Sequence, residues 1–445
     1  MKSQIKLSDH FGFGRLMRYT FPSIVMMIFT SLYGVVDGIF VSSFTGKTEF
    51  AAVNFIYPFL MVLGAVGFMI GSGGSALIAK TLGEGDNDKA NRLFSMFVTV
   101  TVVIGVTFSV IAFFVIEPIA YALGARGEML EWCVIYGRVL LIGLPVQMLQ
   151  FEFQGFFVTA EKPKLGLFVT FGAGITNIVF DALFVAVFPF GVVGAGVATV
   201  LSQYVGGLLP VIYFLSKKNK SLLSLTKFNI MIKDFFKACG NGSSEFLSNV
   251  SMSLVSMVYN AQLMALLGED GVAAYGVLMY ISFIFVGCFI GYAVGTAPII
   301  GFHFGAQNKG ELHSLLTKSL IIFAIGSLAM FGISEALAYP LAFTFCWYDS
   351  GLLALTEHAF RVFSVSFVFA GFPIFASSFF TALNNGVTSA LISFMRTLVF
   401  QISAVLILPL FMGVEGVWWS LIVSEVLATV VAFIFIATNK NKYGY

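Results

Sequence analysis

Almost the whole chain is taken up by twelve apolar stretches, each longer than the ~20 residues a helix needs to cross the hydrocarbon core of a bilayer. They run over residues 16–41, 50–79, 92–116, 130–159, 165–188, 192–215, 237–267, 271–303, 312–341, 353–380, 386–411 and 414–437. No soluble fold can hide that much apolar length. The chain is 58% hydrophobic and only 10% charged, too little charge to coat a water-facing surface of this size. Lipid leaves no water to satisfy backbone polar groups, so the expected solution is twelve transmembrane helices in an all-α integral membrane protein. The first stretch follows a polar start with Lys2, Lys6, Arg15 and Arg18. It is too long for a signal-peptide core, lacks a convincing cleavage site and is read as a retained helix.

The chain also repeats itself. Shifted by 222 residues, Gly46 falls on Gly268, Ala51 and Ala52 on Ala273 and Ala274, Gly73 on Gly295, and Gly83 on Gly305. Phe157 falls on Phe379, Thr159 and Ala160 on Thr381 and Ala382, Gly191 and Val192 on Gly413 and Val414, Gly194 on Gly416, and Ser202 on Ser424. Six helices per half is an even number. The halves therefore share one orientation, related by an axis along the membrane normal, and a site between them is expected. The division read from the sequence is an N-lobe at 1–216, a linker at 217–236 and a C-lobe at 237–445.

Basic residues set the orientation. The N-terminus, the connections near 80–92, 162–164, 217–237 and 309–318, and the C-terminus hold 19 of the 24 Lys and Arg; the alternate loops hold only Lys47 and Arg126. The positive-inside rule places both termini in the cytoplasm, and a plasma membrane of bacterial inner-membrane type is the expected location. The stretch 217–237, with Lys217, Lys218, Lys220, Lys227, Lys233 and Lys237, reads first as a solvated, topology-setting loop, and second as a site for anionic lipid.

Several chemistries find no support. The cysteines Cys133, Cys239, Cys288 and Cys346 lie in or beside apolar spans without a CxxC pair, and the four histidines have no metal-ligand spacing. There is no P-loop, GxSxG elbow or HExxH. Residues 71–75, GSGGS, look like a phosphate loop, but they lie inside a span and lack the Lys, so close helix packing is the better account. A net charge of +2 with no basic stripe gives nucleic acid nothing to bind. No catalytic residue, cofactor or resident metal is expected, and the chain is not read as an enzyme. The bilayer is its obligatory partner, and a monomer would suffice, since one chain holds both halves.

The residues that demand explanation are carboxylates at membrane depth, costly there and functional by default. Asp37 lies in the first span and Asp181 in the fifth. Tyr33 stands four residues before Asp37 and Asn177 four before Asp181, so each carboxylate shares a helix face with a polar neighbour. Thr199, in the sixth span, can add a hydroxyl. Two carboxylates in a poorly hydrated bundle repel each other, and a proton or a monovalent cation relieves the repulsion. The plainer alternative is hydrated, structural residues near a membrane surface. The second half does not copy this chemistry: Asp37 corresponds to Tyr259 and Asp181 to Ser403. It carries Glu245 instead, where the first half has Ser23, as a second proton site, a counter-charge for a cationic substrate, or a plain helix-end carboxylate. Glu152, Glu335 and Glu425 are weaker candidates, with Arg361 and Arg396 as possible partners.

These features resemble the multidrug and toxic compound extrusion (MATE) transporters along essentially the whole chain. The cues are Asp37 with Pro22 fifteen residues earlier, residues 83–90 (GEGDNDKA) with their counterpart 298–306 (PIIGFHFGA), residues 177–181 (NIVFD) with Thr199 eighteen further on, and residues 242–245 (GSSE). Each is weak singly; in order, on a 6+6 repeat, they are specific. The resemblance implies two six-helix lobes forming a V around a central cavity, and export by antiport with H⁺ or Na⁺. It implies a coupling network at Tyr33, Asp37, Asn177, Asp181 and Thr199, with Tyr136 a looser match. Sodium, if used, is expected at Asp37, Asn177, Asp181 and Thr199. Pro22 would be the bending point of the first helix. The acidic residue that some sodium-coupled relatives carry in the tenth helix is missing here, which argues against a sodium site at Glu245. Expected substrates are amphiphilic organic cations. A lipid-linked precursor flippase of the related superfamily is the alternative, disfavoured by the few intramembrane basic residues. A membrane enzyme acting on lipid is disfavoured by the absence of any catalytic motif.

Overall fold

The computed structural model describes residues 5–227, 229–347 and 349–445; Lys2 lies outside them. The first half comprises α1 (Phe13–Phe44), α2 (Lys47–Gly83), α3 (Asn87–Leu123), α4 (Gly127–Thr159), α5 (Pro163–Asp181) and α6 (Gly191–Leu215). The second comprises α7 (Ile232–Leu267), α8 (Glu269–Gly305), α9 (Lys309–Cys346), α10 (Ser350–Ser364), α11 (Phe367–Ala382), α12 (Gly386–Phe394), α13 (Gln401–Ile407), α14 (Pro409–Met412) and α15 (Val414–Tyr443). Among the described residues, eleven helices or helix runs are long and apolar enough to span a membrane singly. The pair α10 and α11, bent by 51°, forms a twelfth span. The result is twelve spans in two six-helix lobes. α7 begins at Ile232, five residues before the boundary read from the sequence, so Lys233 belongs to a helix and not to the linker.

The repeat is visible in the backbone. Gly191 and Gly413, 222 residues apart, open α6 and α15 with φ of +59° and +58°, a left-handed geometry suited to glycine. Gly85 and Gln307, also equivalent, both adopt positive φ. The lobes meet through equivalent pairs as well. A side chain at Gly83 would collide with the Phe302 carbonyl, and one at Gly305 with the Lys80 carbonyl. Likewise Gly73 of α2 abuts Gly242 of α7, and Gly295 of α8 abuts Thr20 of α1. Small residues let helices touch backbone to backbone where lipid gives no hydrophobic drive for association. These contacts lie toward the basic side of the bundle, the side of both termini.

The N-terminal segment seals that side. Leu7 and Phe11 are fully buried. The Leu7 amide donates to Glu161 Oε1 in the α4–α5 turn (2.7 Å), while the Phe11 amide donates to Glu311 Oε1 in α9 (2.9 Å). His10 Nδ1 lies 2.6 Å from Glu311 Oε2, so one short segment ties both lobes together. Burial holds the Glu161 carboxyl above its ordinary range, against the opposing pull of the Leu7 amide.

Most aromatic residues do packing work. Phe94, Phe153, Phe156 and Phe214 interlock in the first lobe, and Tyr292, Phe323 and Phe375 in the second; Phe153 and Phe375 are repeat equivalents. Others, such as Phe114 and Phe411, are well exposed on the outer helix faces, where lipid is the solvent.

Candidate functional site

Asp37, Asn177, Asp181 and Thr199 arrive from α1, α5 and α6 at one place inside the first lobe. Asp181 and Asn177 are buried, with 0% and 2% of their surface exposed. Asp37 is half-buried and in interaction range of Asp181, Asn177 and Thr199. No aligned hydrogen bond joins them. Asp37 Oδ1, both Asp181 carboxyl oxygens, Asn177 Oδ1 and Thr199 Oγ1 are all buried without a protein partner. Buried polar atoms are almost always satisfied, because leaving one unpaired costs about 1–3 kcal/mol. Five oxygens from three helices converge, four of them able only to accept. This electron-rich cage matches a proton or a small monovalent cation. Among the described residues no group of three or more His, Cys, Asp or Glu could hold a metal ion.

Local structure explains the convergence. The α-helical part of α5 ends at Asp181 and runs on as a π-helical stretch, Ala182–Val187, before Gly191 opens α6. Such stretches recur at functional sites because they rotate side chains out of helical register. Gly174 of α5 leaves room for α1: a Cβ there would collide with Phe29 and Tyr33. Tyr33 packs into this space within interaction range of Gln150 on α4. Tyr136, 2% exposed, lies within electrostatic reach of both Asp37 and Asp181. Two residues escaped the sequence reading. Tyr57 of α2 lies within reach of Asp37 and is 43% exposed. Tyr280 reaches across from α8, its Oη 3.5 Å from where a Cβ on Gly38 would be. Only an i,i+3 pairing of Asn54 with Tyr57 could have signalled the first; nothing local signals the second.

The structure places the remaining candidates elsewhere. Pro22 is buried within an uninterrupted α1. Glu245 is half-buried, within electrostatic reach of Arg396. Arg396 forms a bidentate pair with Glu425, with N–O distances of 2.8–3.0 Å. Arg396 also lies on a π-helical stretch, Met395–Phe400, so the fifth span of each lobe carries such a distortion beside its charged group. Arg361 pairs with Glu335 and Glu357 (3.0 and 2.8 Å). Glu152 is fully buried, and both its carboxyl oxygens lack a partner. Tyr259, the counterpart of Asp37, is a satisfied core residue stacked on Tyr275, its Oη 2.6 Å from Ser420 Oγ. The lobes share a frame, but among the described residues only the first has the oxygen cage.

Fold and site together define a class: a two-lobed, twelve-span membrane protein with a parallel repeat and a cluster of buried acidic and polar oxygens in its first lobe. Comparison with known proteins names the family. A model described as MatE matches residues 22–183 and again 246–407, and the chain belongs to that family. The chain is 23% identical to "Multidrug export protein MepA" of Staphylococcus saprophyticus over 97% of its length and 94% of that protein. It superimposes on a crystal structure of MATE in complex with MaL6 with a TM-score of 0.94, at 25% identity and full coverage of both chains. An outward-facing conformation of a multidrug resistance MATE family transporter of the MOP superfamily aligns with a TM-score of 0.90, at 26% identity and 96% coverage of both.

Proposed function

We propose that this protein is a secondary active multidrug exporter, and not an enzyme, that expels amphiphilic organic cations in exchange for H⁺ or Na⁺ entering at Asp37 and Asp181. The carrying observation is the cage of five buried oxygens without protein partners. In an antiporter such a site holds either the coupling ion or, through its free carboxylate charge, attracts the cationic substrate. Occupation by the ion removes that charge, so the two ligands exclude each other and alternation follows. One charge crossing 100 mV supplies about 2.3 kcal/mol, enough for roughly a fifty-fold gradient of a neutral substrate. Tyr57 and Tyr280 offer aromatic faces to the organic cation beside the acid. The lobe contacts on the basic side, closed by residues 7–11, support an outward-facing state, with both termini in the cytoplasm and the protein in a bacterial inner membrane as a monomer. The names of the relatives support multidrug export.

The test is substrate-induced dissipation of a proton gradient in everted vesicles. Adding ethidium should collapse the gradient through the wild type and not through Asp37→Asn. A response that needs a sodium gradient assigns the cage to Na⁺. No response to any cation under either gradient overturns the proposal.

A further inference from the structure

Between α7 and α12 lies a groove of about 300 Å³ that belongs to neither the oxygen cage nor the lobe contacts. It is lined by Gly240, Ser243, Leu247, Val387, Ala390 and Phe394. Val387 and Leu391, on the outward face of α12, are 74% and 44% exposed, so the groove opens toward lipid. Its lining is mostly apolar, and the Ser243 hydroxyl is tied up by donating to the Gly240 carbonyl one turn earlier on its own helix (2.8 Å). Gly386 permits the close crossing at its head, because a Cβ there would collide with the Gly240 carbonyl.

Charge marks one end. Lys233 and Lys237 precede Gly240 by seven and three residues on α7. At 100° per residue Lys233 lies within about 20° of the Gly240 direction and Lys237 within about 60°. Both are exposed, and no ion pair is found for either among the described residues. Asp234, the nearby carboxylate on the same helix, points about 120° away. α12 begins at Gly386 beside this same end, so the positive pole of its peptide dipoles faces there too. Leu247 lies about 15 Å deeper along α7 than Lys237.

We propose that this groove is a binding site for an anionic phospholipid, with its headgroup phosphate on Lys233 and Lys237 and one acyl chain lying between α7 and α12 down to Leu247. The charge at the mouth, the apolar lining below it and the lipid-facing opening follow the layout of a phospholipid in that leaflet. A soluble anion would use only the mouth. The site lies next to Gly242, where α7 crosses α2 of the other lobe, so an occupied groove braces the helix that carries the lobe contact.

Native mass spectrometry of the full chain, released from detergent after incubation with dioleoyl phosphatidylglycerol, dioleoyl phosphatidylcholine or inorganic phosphate, tests this. The wild type should retain one phosphatidylglycerol through activation, and neither of the other two. The exposed double variant Lys233→Gln/Lys237→Gln should lower its apparent affinity about thirty-fold, the combined attraction of two lysines for an anionic lipid. Ala390→Phe, which fills the groove, should also displace it; Ser243→Leu fills the same space if that variant does not fold. Equal retention of phosphatidylglycerol and phosphatidylcholine, unchanged in the lysine variant, would overturn the site as annular lipid only. Loss in the lysine variant without loss in the filled groove, or equally good binding of inorganic phosphate, would overturn the acyl-chain assignment.

Discussion

Removing Arg396 should damage this protein more than removing both members of its ion pair. Glu425 is 4% exposed and Arg396 meets it with the Nε and Nη2 edge of its guanidinium at 2.8–3.0 Å. Breaking such a buried pair from one side strands a charge and costs about 3–5 kcal/mol, whereas replacing both partners with apolar residues of similar size is often neutral or stabilising. The structure refines this expectation. Glu245 also lies near Arg396, so Arg396→Met strands two carboxylates, whereas Glu425→Leu leaves Arg396 a second acid. The predicted order of damage is Arg396→Met, which strands two carboxylates, then Arg396→Met/Glu425→Leu, which strands only Glu245, with Glu425→Leu closest to wild type because Arg396 keeps Glu245. For a lobe of this size the worst variant should lower the unfolding midpoint on the order of 10 °C. The assay is thermal unfolding of detergent-purified protein, followed by the monodisperse fraction on size-exclusion chromatography. An Arg396→Met variant that matches wild type, or a double variant as damaged as the sum of its parts, would refute the argument.

Other expectations follow from single contacts. Glu152→Met should raise stability by about 1–3 kcal/mol, since both carboxyl oxygens are buried without partners and an apolar side chain of similar length leaves no polar atom to satisfy; an unfolding midpoint below wild type would contradict this. Gly83→Ala and Gly305→Ala should each weaken closure of the basic side, at a cost of about 1–3 kcal/mol, because the added methyl strikes a carbonyl of the other lobe. Spin-label distances across that side should lengthen in both, and equal distances would contradict the reading. Glu311→Gln should loosen residues 7–11, which it holds through the Phe11 amide and His10, and amide hydrogen exchange of that segment should quicken severalfold.

The frame was legible because its causes are local in sequence. Apolar length gave the spans, and the offset of 222 gave the repeat. The matched glycines, Gly73, Gly83, Gly295 and Gly305, prove to be where the lobes touch, a constraint that acts on single residues and so leaves a mark. The acids Asp37 and Asp181 were legible for the opposite reason, as charges where the solvent forbids them. What depends on the relative rotation of distant helices left no mark. The break between α10 and α11 falls at residues 365–366 with neither Pro nor Gly at the bend, and the π-helical stretches after Asp181 and around Arg396 have no composition of their own. Tyr280 reaches the Asp37 helix from the other lobe, and the Arg396–Glu425 pair joins residues 29 positions apart across two spans. α7 starts five residues before the span read at 237–267 because Lys233 looked like loop, although a helix end at the membrane surface carries lysines equally well.

The central claim is that one oxygen cage serves an ion and an organic cation in turn. Its most direct test is competition at equilibrium: fluorescence-detected binding of rhodamine 6G to the purified protein, titrated with acid and separately with sodium. The wild type should release the dye as the cage fills with protons or with sodium, and Asp37→Asn/Asp181→Asn should bind it weakly and without response to either. Dye affinity that ignores both ions in the wild type, or that keeps its full response in the double variant, would contradict the account.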